Sequence, residues 1–257
     1  MRPLALFVIA VIFGLVIILA AAIILTSPVL LPSPEKAAVP SPAPAGSGTV
    51  QYSTDAPLPE SRYYTGIDYD TLVSNDHLTV LPLKSYRQQV TNYSCGAVAA
   101  MTVMAYYRVP ANDTAEEEDR IAHLMNPGVT DKTGINPEQM TQYLRKSGWN
   151  ATWGNGGNQQ MLIRNLQNGI PTMVEWMDWG GHWVVVTGYD TRGTENPWDD
   201  VIIFADSVDC HDDRVDGITY FNYGEFDAMW FDAHYFPEPM RDHVYVVAVP
   251  AGTPLPA

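Results

Sequence analysis

Gln89, Cys95, His182 and Asp206 have the residue types and chain order that thiol chemistry needs. Cys95 follows a polar, turn-prone stretch, Thr91-Asn92-Tyr93-Ser94, and opens the run CGAVAAMTVMAYY, which has no proline and one glycine. A cysteine in the first turn of a helix faces unpaired backbone N–H groups and the positive end of the helix dipole. Both favour thiolate over thiol. Gln89, six residues upstream, carries an amide able to donate to an oxyanion forming beside the sulfur. His182 starts the apolar stretch HWVVVTGY directly after Gly180-Gly181, so a rigid element would hold it at an edge. Asp206 closes the next apolar run, VIIFA, 24 residues further on. If the two runs pair as strands, its carboxylate lies beside the imidazole, fixing the tautomer and stabilising the imidazolium. Asp190, at the end of the His182 run, is the reserve partner. Each member also has a plainer reading: Cys95 as one more small buried side chain, Asp206 as the first residue of a turn.

The elements that must position these residues follow from periodicity and punctuation. Ala97, Ala100, Met101, Met104 and Ala105 recur at helical spacing, predicting a buried helix over 95–107. Asn112 to Thr114 followed by Glu116, Glu117 and Glu118 makes a helix start running to about Met125, with the acids read as a solvated, dipole-complementing face. Asn136 and Pro137 open another helix that Gly148 closes, and 158–168 is a third, ended by Gly169. Thereafter the pattern turns β-rich: 170–177, 182–189, 201–205, 218–221 and 243–249 read as strands, with a helix over 223–231 between the last two. Residues 80–83 suggest a short strand ahead of the Cys95 segment. Helices first and strands second is the pattern of an α+β domain with an antiparallel sheet.

The chain has 257 residues and a net charge of −15. From Leu4 to Ile24 it is almost unbroken apolar sequence with Arg2 as the only charge before it, which reaches the roughly 20 residues a membrane-crossing helix needs. A removed signal would have an apolar core of about 7–15 residues, so residues 1–26 are read as an uncleaved anchor. Arg2 orients its N-terminus to the cytoplasm, leaving a single-pass protein with its C-terminal domain outside. Residues 27–49, dominated by Pro, Ala and Ser, form a spacer, and 50–257 the domain. That domain is strongly acidic, with only four lysines in the whole chain, which argues against nucleic acid as a partner. Cys95 and Cys210 are compatible with a disulfide outside the cell. In the acidic segment 206–217, Asp209, Asp212, Asp213 and Asp216 lack EF-hand spacing and read as a solvated loop. His77 has no partner pattern and is assigned to the surface.

Gln89-x5-Cys95-Gly96 before an Ala-rich helix, Gly181-His182 opening a Val-rich strand and Asp206 closing the next resemble the papain-like cysteine peptidases. Within them the pattern is most similar to the bacteriocin-processing, double-glycine peptidase family, over Lys84 to about Val249. The resemblance implies a papain-like fold with a nucleophile helix packed on the sheet. It implies Cys95 as nucleophile, His182 as general base, Asp206 as its orienter and Gln89 as oxyanion donor, with a peptide or protein substrate and neither cofactor nor metal. This chain departs from the pattern at Ser94, where the family usually has an acid, and at Ser207, where it commonly has proline. It also carries no Walker-type phosphate loop for coupling to export. A non-catalytic binding module on the same fold, or an amidase or transferase acting on cell-envelope peptides, uses the same pattern and stays open.

Overall fold

In the computed structural model residues 73–210, 215–233 and 236–256 are described. The expected anchor (1–26) and spacer (27–49) lie outside them. Among the described residues no helix is long and apolar enough to cross a membrane.

The domain is α+β. A short strand β1 (Leu78–Val80) precedes helix α1 (Cys95–Tyr106), in which every residue from Cys95 to Met104 is buried. A helix apolar on all sides has no stripe to present to water and must lie inside the molecule. Helix α2 (Ala115–Met125) is capped by the Thr114 side chain, which accepts from the Glu117 N–H. Helix α3 (Pro137–Lys146) starts with a full capping box between Asn136 and Gln139. A strand β2 (Trp149–Gly154) follows, then helix α4 (Gln159–Gln167), capped by Asn158. Strands β3 (Thr172–Trp176), β4 (His182–Asp190), β5 (Val201–Ala205) and β6 (Ile218–Asn222) come next. Helix α5 (Tyr223–Met229) and strand β7 (Tyr245–Pro250) close the fold.

Among the described residues the strands form one antiparallel sheet, ordered β2-β7-β3-β4-β5-β6, with β1 paired to the C-terminal part of β4. All nine residues of β4 are buried, since the strand lies between neighbours and under helices on both faces. On one face Met173, Trp183, Val185 and Ala205 pack with α1 and α3; on the other Val174, Trp176, Val186 and Phe204 pack with α4 and α5. The sheet thus separates two apolar layers, and His182 sits where β4 begins.

One strand and one contact were not foreseen. Strand β2 was not anticipated: WNATWG contains Asn and Gly, which depress strand propensity, and its partner β7 lies about a hundred residues away. His77 is exposed, as expected, but it has a partner: its Nδ1 lies 2.8 Å from Asp190 Oδ1. That contact also occupies the reserve partner of His182.

The packing of α1 on β4 leaves no room at Gly96, where an added Cβ would come within 3.1–3.3 Å of Met140, Ile135 and Trp183. Gly96→Val is expected to cost about 1–3 kcal/mol through overpacking and to shift the start of α1. Denaturant unfolding, with near-ultraviolet dichroism of the Trp183 environment, would check this. Unchanged stability would mean that α1 is not held against β4 as described.

Candidate active site

The sheet and α1 together bring Cys95 and His182 to one cleft. Cys95 is the first residue of α1, and His182 the first of β4, which packs directly beneath it. His182 Nε2 lies 2.8 Å from Asp206 Oδ1, with both side chains buried. An ionised carboxylate oxygen can only accept, so Nε2 carries the proton and Nδ1 is the nitrogen left for the Cys95 thiol. Strand pairing is what delivers Asp206: Val185 is opposite Ala205, and the chain leaves β5 at the next residue. The same Oδ1 accepts from the Val208 N–H at 2.8 Å, and that local turn fixes the carboxylate's direction.

The electrostatics follow from this arrangement. Burial pushes the Cys95 thiol up, but the hydrogen bond and charge of His182, with the Trp183 and Gly96 backbone N–H groups, outweigh it and leave the thiol below its ordinary value. Burial pushes His182 down, yet the charge and hydrogen bond of Asp206, and Cys95 on the other side, carry it up to about 10. Asp206 is held below the usual carboxylate range, since the His182 charge and hydrogen bond and the Val208 N–H exceed its own burial cost. The favoured state is therefore thiolate, imidazolium and carboxylate in a row, the charge distribution of an activated cysteine.

Gln89 lines the same cleft. Its Oε1 accepts from the Ser207 hydroxyl at 2.8 Å, and its Nε2 donates to the Thr91 carbonyl at 2.7 Å. The Thr91 carbonyl needs a donor, so the amide orientation is determined; one N–H is committed there, and the nitrogen carries a second. Gln88 adds a clamp, donating to the Asp206 carbonyl and accepting from the Asp209 N–H. The Gln88-Gln89 pair is thus stitched to the segment that follows Asp206. Ser207, where the resembled pattern commonly has proline, serves this clamp through its hydroxyl.

Two residues escaped the sequence reading. Glu118, taken there as part of a solvated acidic face, is fully buried and is the hub of the loop before Cys95. It accepts from the Val90 N–H at 2.8 Å and the Ser94 hydroxyl at 2.6 Å, and Arg87 Nε lies 2.9 Å away. Burial of one acid in a run of three depends on which face of α2 meets the loop, which spacing alone does not reveal. Ser94, the unexpected residue before the cysteine, is part of this network. The second is Glu175 on β3, buried beside the cleft; nothing in IPTMVEWM marks it as different from a strand's polar interruption.

The cleft has a volume of about 430 Å³ and holds Trp179 and Trp183 in its wall. Trp179 is 64% exposed and adopts left-handed backbone (φ 58°) in the turn between β3 and β4. Cys95 and Cys210 are both free thiols, so no disulfide blocks the site. In the acidic segment, Asp209 is turned inward and accepts from the Asp216 and Gly217 N–H groups at 2.8 and 2.7 Å, while Asp212 and Asp213 lie outside the described residues.

The Peptidase_C39 like family model matches residues 80–233, a span that takes in all of these cleft residues except Phe236. The chain belongs to that family. Membership supports a cysteine peptidase fold for the domain. Among solved structures, a C39-like peptidase from Bacillus anthracis is 14% identical, with a TM-score of 0.48, covering 68% of this chain and 98% of its own. The peptidase domain of ComA from Streptococcus, a bi-functional ABC transporter of a quorum-sensing pathway, is 15% identical with a TM-score of 0.44, covering 65% and 98%. A double-glycine-motif protease from an AMS/PCAT transporter, solved with a leader peptide, is 15% identical with a TM-score of 0.43, covering 67% and 94%. No curated protein sequence matches the chain.

Glu118→Ala should remove the buried carboxylate that Arg87 Nε and two donors of the Val90–Ser94 loop share, leaving Arg87 only its exposed ion-pair partner Asp113, at a cost of about 3 kcal/mol. Urea unfolding measures the loss, and Cys95 labelling should slow in the folded variant as the loop loosens. A change below about 0.5 kcal/mol, the range of an ordinary surface substitution, would return Glu118 to the solvated role.

Proposed function

We propose that this domain hydrolyses peptide bonds, with Cys95 as nucleophile, His182 as acid and base, Asp206 as orienter and Gln89 as oxyanion donor. The observation that carries this reading is the single imidazole bonded to Asp206 through Nε2 and facing a helix-start thiol through its other nitrogen. The Cys95 thiolate attacks the scissile carbonyl, and the negative charge moves to the carbonyl oxygen. The Cys95 backbone N–H, which as a first-turn group has no intrahelical acceptor, and the second N–H of Gln89 face that oxygen. The imidazolium then gives its Nδ1 proton to the departing amine, and the C–N bond breaks to leave a thioester. His182, now neutral, takes a proton from water, which attacks the thioester and releases the acid and the thiolate. Throughout, Asp206 keeps Nε2 protonated, so Nδ1 alone exchanges protons with the reacting groups.

Iodoacetamide labelling of Cys95 across pH tests the thiol. The rise in rate should lie below the pH expected for an ordinary cysteine, whose pKa is about 8.5, because the folded thiol is lowered. His182→Ala should move that rise upward, since the largest lowering contribution is lost. Identical slow labelling in both proteins would overturn the peptidase reading in favour of a non-catalytic binding module.

The proposal extends to location. Leu4–Ile24 would act as an uncleaved single-pass anchor, with the 27–49 spacer holding the domain on the non-cytoplasmic side. Protease treatment of intact cells should then release a soluble fragment beginning within 27–49. A mature chain already starting near Val50, with no membrane-bound form, would identify the apolar run as a removed signal.

A further inference from the structure

Beside the nucleophile lies a carboxyl that the mechanism does not use. Glu175 is on the β3 face that packs against α1, two residues from Met173 of the same layer, and opposite Trp183 of β4. It lines the Cys95 cleft although it is only 1% exposed. Its Oε2 is buried with no hydrogen-bond donor. Its neighbour is a second carboxyl, Asp232, itself buried and fixed by the Phe236 N–H on Oδ1 at 2.8 Å. Two buried carboxyls in contact cannot both be ionised at small cost, and Glu175 is the one pushed toward its protonated form. Burial first, then Asp232 and then the nearby Cys95, push Glu175 well above the usual carboxylate range. Among the described residues, Asp232 and Cys95 are the titratable groups that face it.

The rest of the cleft indicates what could meet that oxygen. Among the described residues its lining contains a further carboxyl, Asp131, and no Lys or Arg; its cation is His182, already paired with Asp206. Trp179, Trp183, Ile135 and Phe236 supply apolar wall in the same cleft as Glu175. Such a lining suits a long aliphatic stem that ends in a positive charge, and the exposed Trp179 indole offers a cation a π face. A neutral apolar side chain could fill the walls but would leave Glu175 Oε2 without a donor, and a carboxylate would meet like charge. Resting on the peptidase reading, we infer that Glu175 forms a cation subsite selecting peptides with a lysine or arginine side chain beside the scissile bond. The arriving ammonium or guanidinium donates to Oε2 and takes over the role of the Glu175 proton, which is released to solvent.

The test uses two chloromethyl ketone peptides identical except for lysine or norleucine at the residue bearing the ketone, which differ by the terminal charge and not the stem. Mass spectrometry follows their attachment to Cys95 in the full chain. The lysyl probe should react at least about tenfold faster, the scale of one buried charge-assisted hydrogen bond, and Glu175→Gln should narrow the preference to about twofold or less. Glu175→Met, apolar and of similar shape, should do the same and serves if the amide variant fails to fold. Equal rates for the two probes in the wild type would overturn the inference, as would a full lysyl preference in either folded variant. Iodoacetamide separates the two levels of the argument. A Cys95 that iodoacetamide fails to modify sinks the peptidase reading itself, whereas ready modification with no lysyl preference sinks the cation subsite alone.

Discussion

The buried hydrogen bond between His182 and Asp206 is the constraint around which the domain is arranged. An imidazolium and a carboxylate removed from water are costly unless each meets the other in good geometry, and here the contact is 2.8 Å with both groups inaccessible. That geometry requires β4 and β5 to keep their register, because a slip of one residue would turn Asp206 to the other side of the sheet. It also requires the chain to turn immediately after Ala205, which the Val208 N–H on the same carboxylate enforces. The central position of β4, covered on both faces, supplies the rigidity.

Around that bond the molecule uses buried carboxyls in different ways. Asp206 is ionised and paired, and it holds a histidine. Glu118 gathers the Val90 N–H, the Ser94 hydroxyl and Arg87, so that the loop carrying Gln89 approaches α1 in one conformation. Asp209 does the equivalent for the segment after β5, accepting two successive backbone N–H groups. Glu175 differs from all three in having another acid as its neighbour. The first three each accept from donors inside the fold and organise the site; the fourth lines the cleft beside the nucleophile.

The thiol depends on both layers at once. Burial alone would make Cys95 a poor nucleophile, and the effect is reversed only because His182 and the backbone N–H groups of Trp183 and Gly96 reach the sulfur. Gly96 allows this approach: its missing side chain lets the start of α1 come down onto Trp183, Ile135 and Met140. The small residues of α1 act in the same sense further along, letting the helix sit deep in the molecule where its first turn can meet β4.

The sequence by itself determined the element types, because capping residues, glycine stops and apolar periodicity are local signals. The caps Thr114, Asn136 and Asn158 and the run Val201–Ala205 fall where punctuation places them. It also singled out Gln89, Cys95, His182 and Asp206, since their order along the chain carries a family pattern. Tertiary structure decided what depends on contact across long separations. Strand β2 is defined by β7, a partner a hundred residues away, and not by its own weak propensity. Asp190 was set aside from His182 because β1 brings His77 to it. Glu118 and Glu175 look in the sequence like any surface acid, and only the face on which each is buried separates them from their neighbours. Burial of a polar side chain is a property of the assembled layers, and a one-dimensional pattern contains no measure of it.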